Sequence, residues 1–202
     1  MGLEVPQKYF QSSDAVGLAK SLLGMHLCTS FEGVLTAGVI VETEAYKAPE
    51  DKACHAYGNK RTARTEIMFD RGGVAYVYLC YGIHHLFNIV TGQKDEAQAV
   101  LIRAIEPVQG IEIMQKRRRF TSGNKYNLTN GPGKLTQALG ITTQYTGQEL
   151  TNFGQGTCWL EYGERIPDEN IVASKRIGVD YAKEWAEMPW RFTIKGNKWV
   201  SC

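Results

Sequence analysis

A chain of 202 residues is the size of one domain, and 43% hydrophobic, 22% charged and 10% aromatic residues exclude a disordered, collagen-like or fibrous chain. Lys and Arg number 23 against 21 Asp and Glu, a net charge of +2, so any nucleic-acid signal must be local rather than global. Residues 1–10 hold no basic segment followed by an apolar stretch, and no run of about eighteen apolar residues occurs. The expectation is a soluble, unexported, intracellular chain with no membrane partner and no partner-binding N-terminal extension. Five cysteines (Cys28, Cys54, Cys80, Cys158, Cys202) are odd in number and never spaced Cys-x-x-Cys, which fits a reducing compartment. With no His-Glu-x-x-His either, no metal is expected.

No internal repeat or linker interrupts the chain, so a single domain over residues 1–202 is expected. Ser13 and Asp14 can cap a helix whose apolar positions Val16, Leu18, Leu22 and Leu23 fall near helical spacing, with Gly24 ending it. Residues 34–46 read as a long β-branched strand that turns acidic at its far end. Two further strands, 74–80 and 84–90, are joined by Tyr81-Gly82-Ile83, a hairpin turn in which Gly supplies a positive φ. A fourth, 99–105, ends at Pro107. Helical stretches are expected near 111–118, 133–139 and 180–188, and a closing hairpin from 191–195 and 198–201 about Gly196-Asn197. Short links between sequential strands favour antiparallel pairing with helices covering one face, an α+β fold.

Glu42, Glu44 and Tyr46 alternate, so they project from one strand face while Val41 and Thr43 project from the other. Two carboxylates and a phenol on one surface read as a general-base site, or as a solvated strand end. Tyr76 and Tyr78 share a face and belong to the core or its rim, or line a cleft for a flat or cationic ligand. Tyr81, at the hairpin tip, is an exposed wedge for a partner or folds back on a loop. Asn88 lies in an apolar strand and needs a specific partner, backbone or ligand. Arg103, in an equally apolar run, should pair with Glu42, Glu44 or Glu106. His55 reads as a loop histidine.

Between Glu112 and Lys134 stand six basic residues (Lys116, Arg117, Arg118, Arg119, Lys125, Lys134) and one acid, which predicts a basic face. Lys60, Arg61, Arg64 and Arg71 form a second cluster, and the two could hold the phosphates of a nucleic-acid strand or simply solvate the surface. Asn130-Gly131-Pro132-Gly133-Lys134 opens a helix and would present free N–H groups and a lysine, as anion sites do.

The run Val41-Glu42-Thr43-Glu44-Ala45-Tyr46, then Pro49-Glu50-Asp51 and His55, Tyr76-Val77-Tyr78 with Tyr81-Gly82, Asn88, Arg103-Ala104-Ile105-Glu106-Pro107, Gly131-Pro132-Gly133-Lys134-Leu135 and Arg176-Ile177-Gly178-Val179 closely resembles the alkyladenine (methylpurine, 3-methyladenine) DNA glycosylase family. The resemblance spans nearly the whole chain, although His84 stands where the family commonly has an aromatic. It implies a single α+β domain with a curved, mainly antiparallel sheet and a protruding hairpin whose Tyr81 enters the minor groove to replace a flipped nucleotide.

The implied base pocket is Tyr46 and His55 on one side of the purine and Tyr78 on the other, with Asn88 rejecting guanine. Glu44 would be the general base for a water held by Arg103 and the Ile177 carbonyl. Gly131, Gly133, Lys134 and Arg64 would meet the DNA backbone. By this resemblance the chain is a monomeric, monofunctional repair enzyme without cofactor, acting on double-stranded DNA that carries 3-methyladenine, 7-methylguanine, hypoxanthine or ethenoadenine and leaving an abasic site. The alternatives are a non-catalytic damaged-DNA binding protein and a small-substrate hydrolase.

Overall fold

The computed structural model describes residues 3–151 and 156–201; Met1 and Cys202 lie outside them. Among the described residues, eight strands form one antiparallel sheet: β1 (His26–Phe31), β2 (Val34–Lys47), β3 (Ala75–Cys80), β4 (His84–Val90), β5 (Gln98–Gln109), β6 (Cys158–Glu161), β7 (Ile171–Ser174) and β8 (Arg191–Ile194). The order along the sheet is β3-β4-β5-β2-β1-β6, with β8 joining β2 and β7 joining β8. Four α-helices among the described residues accompany it: α1 (Gln7–Phe10), α2 (Ala15–Ser21), α3 (Ile111–Arg118) and α4 (Pro132–Leu139).

The long β2 organises the sheet. One edge pairs with β5 from Ala37 to Lys47, while the other is shared, first by β1 over residues 34–39 and then by β8 over residues 42–44. Side-chain alternation then sorts the molecule into two faces. Ala45, Ala75, Val77, Phe87, Ile89, Val100 and Ile102 join the main core beneath α2 and α4, together with Leu18, Leu22, Leu135 and Leu139. Glu42, Glu44, Tyr46, Tyr76, Tyr78, Asn88, Leu101 and Arg103 take the opposite phase. Thr43 confirms the phase of β2, because its hydroxyl donates to the Ala19 carbonyl of α2 at 2.7 Å.

Local chemistry explains most of the elements. The Asp14 carboxylate caps α2 by accepting the Gly17 N–H at 2.8 Å, whereas the Ser13 hydroxyl is drawn to Glu96 instead. The strand expected to end at Pro107 runs through it to Gln109. Because β4 pairs with β5 only over residues 99–101, β5 is an edge at Pro107 and the missing N–H breaks no ladder bond. Strands β1, β6 and β7 carried no sequence signal strong enough to be expected.

Three expectations need correction. Residues 198–201 are not a strand: the Ser201 N–H and hydroxyl both donate to Glu42, at 2.6 and 2.7 Å, and β8 pairs with β7 and β2 instead of closing a terminal hairpin. The helix expected near 180–188 is a 3-10 stretch, Asp180–Glu187, broken at Lys183 (φ 55°, ψ −128°). The second basic cluster carries less free charge than its count, and two arginines of the first are held in place by neutral acceptors. Arg117 binds the Thr36 hydroxyl and the Ala138 carbonyl, and Arg118 binds Gln137 and the Leu128 carbonyl, tying α3 to its neighbours. Arg61 pairs with Glu66 and Asp95, and Arg71 with Glu149.

The β3–β4 hairpin ends in Tyr81-Gly82-Ile83, with Cys80 opposite His84. Both Tyr81 (φ 52°) and Gly82 (φ 72°) are left-handed, as tight hairpin turns require. A Cβ on Gly82 would meet nothing within 4 Å, so replacement there costs backbone strain alone. Gly82→Ala should lower the unfolding free energy by about 1 kcal/mol in urea titrations, with the denaturant slope unchanged.

Candidate active site

The second face of the sheet floors a cavity of about 460 Å³, lined by Tyr46, His55, Tyr76, Tyr78, Asn88, Arg103, Ile177 and Tyr181 among others. That volume suits a drug-sized or nucleobase-sized ligand. Tyr81 stands at its rim, 91% exposed, and with Leu79 and Ile83 gives the hairpin an apolar tip in water. A contiguous exposed apolar tip marks a surface that meets a partner.

Glu44 lies beneath this cavity with no solvent exposure. Its Oε1 accepts the Ile177 N–H at 2.8 Å and stands 3.3 Å from an Arg103 Nη; its Oε2 accepts the Tyr46 hydroxyl at 2.7 Å. A carboxylate oxygen can accept two hydrogen bonds, so Oε2 keeps one lone pair uncommitted among the described residues. Burial, followed by the Glu44 charge, pushes the Tyr46 phenol well above its ordinary pKa, so it stays protonated and donates.

Arg103 reaches both acids. Its Nε donates to Glu42 Oε1 at 2.9 Å, and burial of the guanidinium is more than offset by the Glu44 and Glu42 charges, so its pKa is raised. The β2–β5 ladder slips here: Glu42 pairs with Ala104 and Thr43 with Ile102, leaving Arg103 as the extra residue. Such a bulge re-aims a side chain, which brings Arg103 to the acidic face. Of the three expected partners, Glu42 and Glu44 serve, while Glu106 accepts from Asn197 instead.

Glu42 is equally buried and collects Arg103, Arg191 (2.6 Å) and both Ser201 donors. Arg191 and Ser201 were invisible to sequence reasoning, since both come from a distant terminal segment. Asp51 and Arg176 were likewise given no role. They form a bidentate pair at 2.6 and 2.8 Å with both side chains fully buried.

The pocket wall is aromatic. His55 and Tyr78 meet edge to face, centroids 4.6 Å apart and planes at 78°, so they form one continuous wall instead of facing each other across a slot. Tyr76 stands 5.4 Å from Tyr78. The Arg64 guanidinium lies 4.9 Å from the Tyr78 ring and donates to His55 Nε2 at 3.2 Å, which places Arg64 at the pocket rim. A guanidinium can only donate, so the proton of neutral His55 sits on Nδ1, facing the Tyr76 hydroxyl at 2.8 Å. Asn88 donates its amide to the Tyr76 and Leu86 carbonyls at 3.1 and 3.3 Å, so the backbone is its partner and its position is set.

Gly131 caps α4, Pro132 opens it, and Lys134 donates to Asn130 at 2.8 Å. A Cβ on Gly133 would stand 3.1 Å from His84, so this helix start abuts the base of the hairpin. The hairpin and the N-terminal turn of α4 are therefore neighbours. No helix among the described residues is long and apolar enough to cross a membrane, and no group of His, Cys, Asp or Glu among them is arranged to hold a metal.

Fold and site define an α+β enzyme with an aromatic pocket over a buried carboxylate and an apolar hairpin at its mouth. The chain belongs to the methylpurine-DNA glycosylase family, whose profile, described as methylpurine-DNA glycosylase (MPG), matches residues 9–198. Proteins named "Putative 3-methyladenine DNA glycosylase" are similar over almost their full length. That of Chlamydia felis is 46% identical over 194 residues, 96% of this chain and 97% of the relative. That of Chlamydia pneumoniae is 48% identical over 188 residues, 93% of each. That of Natranaerobius thermophilus is 44% identical over 199 residues, 98% and 99%. Membership makes the chain a DNA repair glycosylase, a hydrolase of N-glycosyl bonds.

Burial, reinforced by the Arg64 charge, lowers the His55 pKa from 6.5 to about 4, so the ring is neutral at physiological pH. The unfolded histidine binds a proton that the folded one refuses, so this group's contribution to stability falls as pH drops from 6.5 toward 4. An NMR titration should place the His55 midpoint near 4, and Arg64→Ala should move it upward.

Proposed function

We propose that this glycosylase flips alkylated or deaminated purines (3-methyladenine, 7-methylguanine, hypoxanthine, ethenoadenine) out of duplex DNA and hydrolyses the N-glycosidic bond with a water activated by Glu44. The reading rests on one observation above others: a carboxylate with no solvent exposure, oriented by Ile177, Arg103 and Tyr46, keeps one lone pair uncommitted below an aromatic cavity. Water entering with the flipped nucleotide would give its proton to Oε2 as its oxygen attacks C1′; a methylated, cationic purine then leaves as a neutral base, whereas hypoxanthine or ethenoadenine must take up a proton as it departs. The same negative charge would stabilise the oxocarbenium-like sugar as the bond to the base lengthens. The Ile177 carbonyl and Arg103 would help hold that water.

The flipped purine would stack on Tyr46 and Tyr78, and a methylated, cationic ring gains from their electron-rich faces. Entry requires the Arg64 guanidinium to leave the Tyr78 face, and a backbone phosphate at the rim is its natural destination. Tyr81 would fill the gap left in the duplex, offsetting part of the few kcal/mol lost in unstacking. The N–H groups at the start of α4, with Lys134, would hold a phosphate beside it. No lysine approaches Glu44 within ion-pair distance among the described residues, which favours a monofunctional reaction ending in an abasic site. We further propose that the protein acts as a monomer inside the cell.

Single-turnover base release from duplexes with one hypoxanthine or ethenoadenine tests the reading directly. Glu44→Gln should slow release by about a hundredfold or more while duplex binding persists. Binding without release by the wild-type chain, for methylated purines as well, would make it a damaged-DNA binding protein instead. Asn88 is fixed by two backbone carbonyls and cannot swing aside for the 2-amino group of guanine, so Asn88→Ser should raise excision of undamaged guanine from mismatches; unchanged guanine release would remove that role.

A further inference from the structure

We infer that the buried Asp51–Arg176 pair is the positioning device of the reaction: it sets the Ile177 N–H on Glu44 and ties the His55 turn to the same point. The inference rests on the glycosylase reading. Neither residue lines the cavity, and neither side chain is within hydrogen-bond reach of Glu44.

The geometry is convergent. Nη1 of Arg176 donates to the Ala45 carbonyl at 2.9 Å and to Asp51 at 2.6 Å; Nη2 donates to Asp51 at 2.8 Å and to the Trp185 carbonyl at 3.0 Å. Ala45 lies between Glu44 and Tyr46, so the guanidinium grips β2 between the candidate base and its hydroxyl partner. The next residue after Arg176 is Ile177, whose N–H reaches Glu44 at 2.8 Å. The guanidinium also lies 4.7 Å from the Tyr46 ring centroid and 5.1 Å from that of Trp190, which limits its sideways movement. On the other side, Asp51 accepts the Ala53 N–H at 3.0 Å and, through its carbonyl, the Cys54 N–H at 2.9 Å. Those bonds open the turn that carries His55.

One ion pair thus joins the end of β2 and the turn after it, around residues 45 and 51–55, to the distant residues 176–177. Apolar side chains of similar volume could hold such a junction together without the desolvation cost of two charges. They could not define its distances and angles as a planar bidentate pair does. Precision matters here because the uncommitted lone pair of Glu44 Oε2 must face the water, and its direction follows from where Ile177 and Tyr46 place the carboxylate.

The test compares wild type, Asp51→Asn and Arg176→Lys on the lesion duplex that the wild-type chain processes fastest. Single-turnover release, equilibrium duplex binding and thermal unfolding are measured on the full chain. Asp51→Asn keeps the shape but leaves the arginine unpaired; Arg176→Lys keeps the charge but not the fork. Both should slow base release by about a hundredfold, with duplex Kd within about threefold of wild type. Release at the wild-type rate in folded variants would overturn the inference and leave the glycosylase reading intact. So would release and binding falling together in proportion to the folded fraction, or failure of both variants to fold, since the pair would then be purely structural. If the wild-type chain releases no base from any lesion, the glycosylase reading fails first and the inference falls with it.

Discussion

Two carboxylates with no solvent exposure, Glu42 and Glu44, sit two residues apart on one face of β2, and much of the surrounding structure exists to accommodate them. An isolated buried carboxylate costs several kcal/mol. Here Arg103 is shared between the two, Arg191 and the Ser201 donors add to it at Glu42, and Tyr46 with the Ile177 N–H orients Glu44. The division of labour is informative. Glu42 collects four donors from β5, β8 and the terminal segment, which suits an anchor for Arg103. Glu44 is oriented by fewer, directional contacts and lies under the aromatic cavity, which suits chemistry.

The same requirement shapes the backbone. The β2–β5 ladder slips so that Arg103 falls out of register and turns toward the acids, and β8 takes the edge of β2 where β1 leaves it, bringing Arg191 alongside Glu44 in the pairing. The sheet therefore keeps a dry, helix-covered face for stability and gives the other face to the pocket. Exposed apolar side chains at the mouth include the hairpin tip, where Leu79, Tyr81 and Ile83 cannot be buried by their own hairpin, and also Ile177 and Tyr181. Stability and recognition thus use opposite phases of the same strands.

Much of this was legible in the chain. Alternation placed Glu42, Glu44 and Tyr46 together and separated them from Thr43; an arginine in an apolar strand demanded a carboxylate; a three-residue turn with Gly82 put Tyr81 in water. These are local arguments with a period of two residues, and the strand geometry honours them. Charge counting fared worse, because a sequence does not say which way a long side chain points. Arg117 and Arg118 are held by neutral acceptors and keep their charge, whereas Arg61 and Arg71 find acids, so the count of basic residues overstated the free charge of that second cluster. The terminal hairpin failed for a related reason: two donors of Ser201 are worth more on the buried Glu42 than in a short exposed ladder.

By itself the sequence determined the single α+β domain, the two faces of its long strand, the exposed hairpin and, through motifs spread over nearly its whole length, the family. All of these follow from periodicity, turn chemistry or residue order, which are properties of the chain alone. Only the tertiary structure decided that Asp51 and Arg176 meet, that Ile177 presents its N–H to Glu44, that His55 lies edge-on to Tyr78, and that residue 201 closes the acidic cluster. Those contacts join residues up to 159 positions apart. Their partners are chosen by which buried charges remain unsatisfied once the sheet has formed.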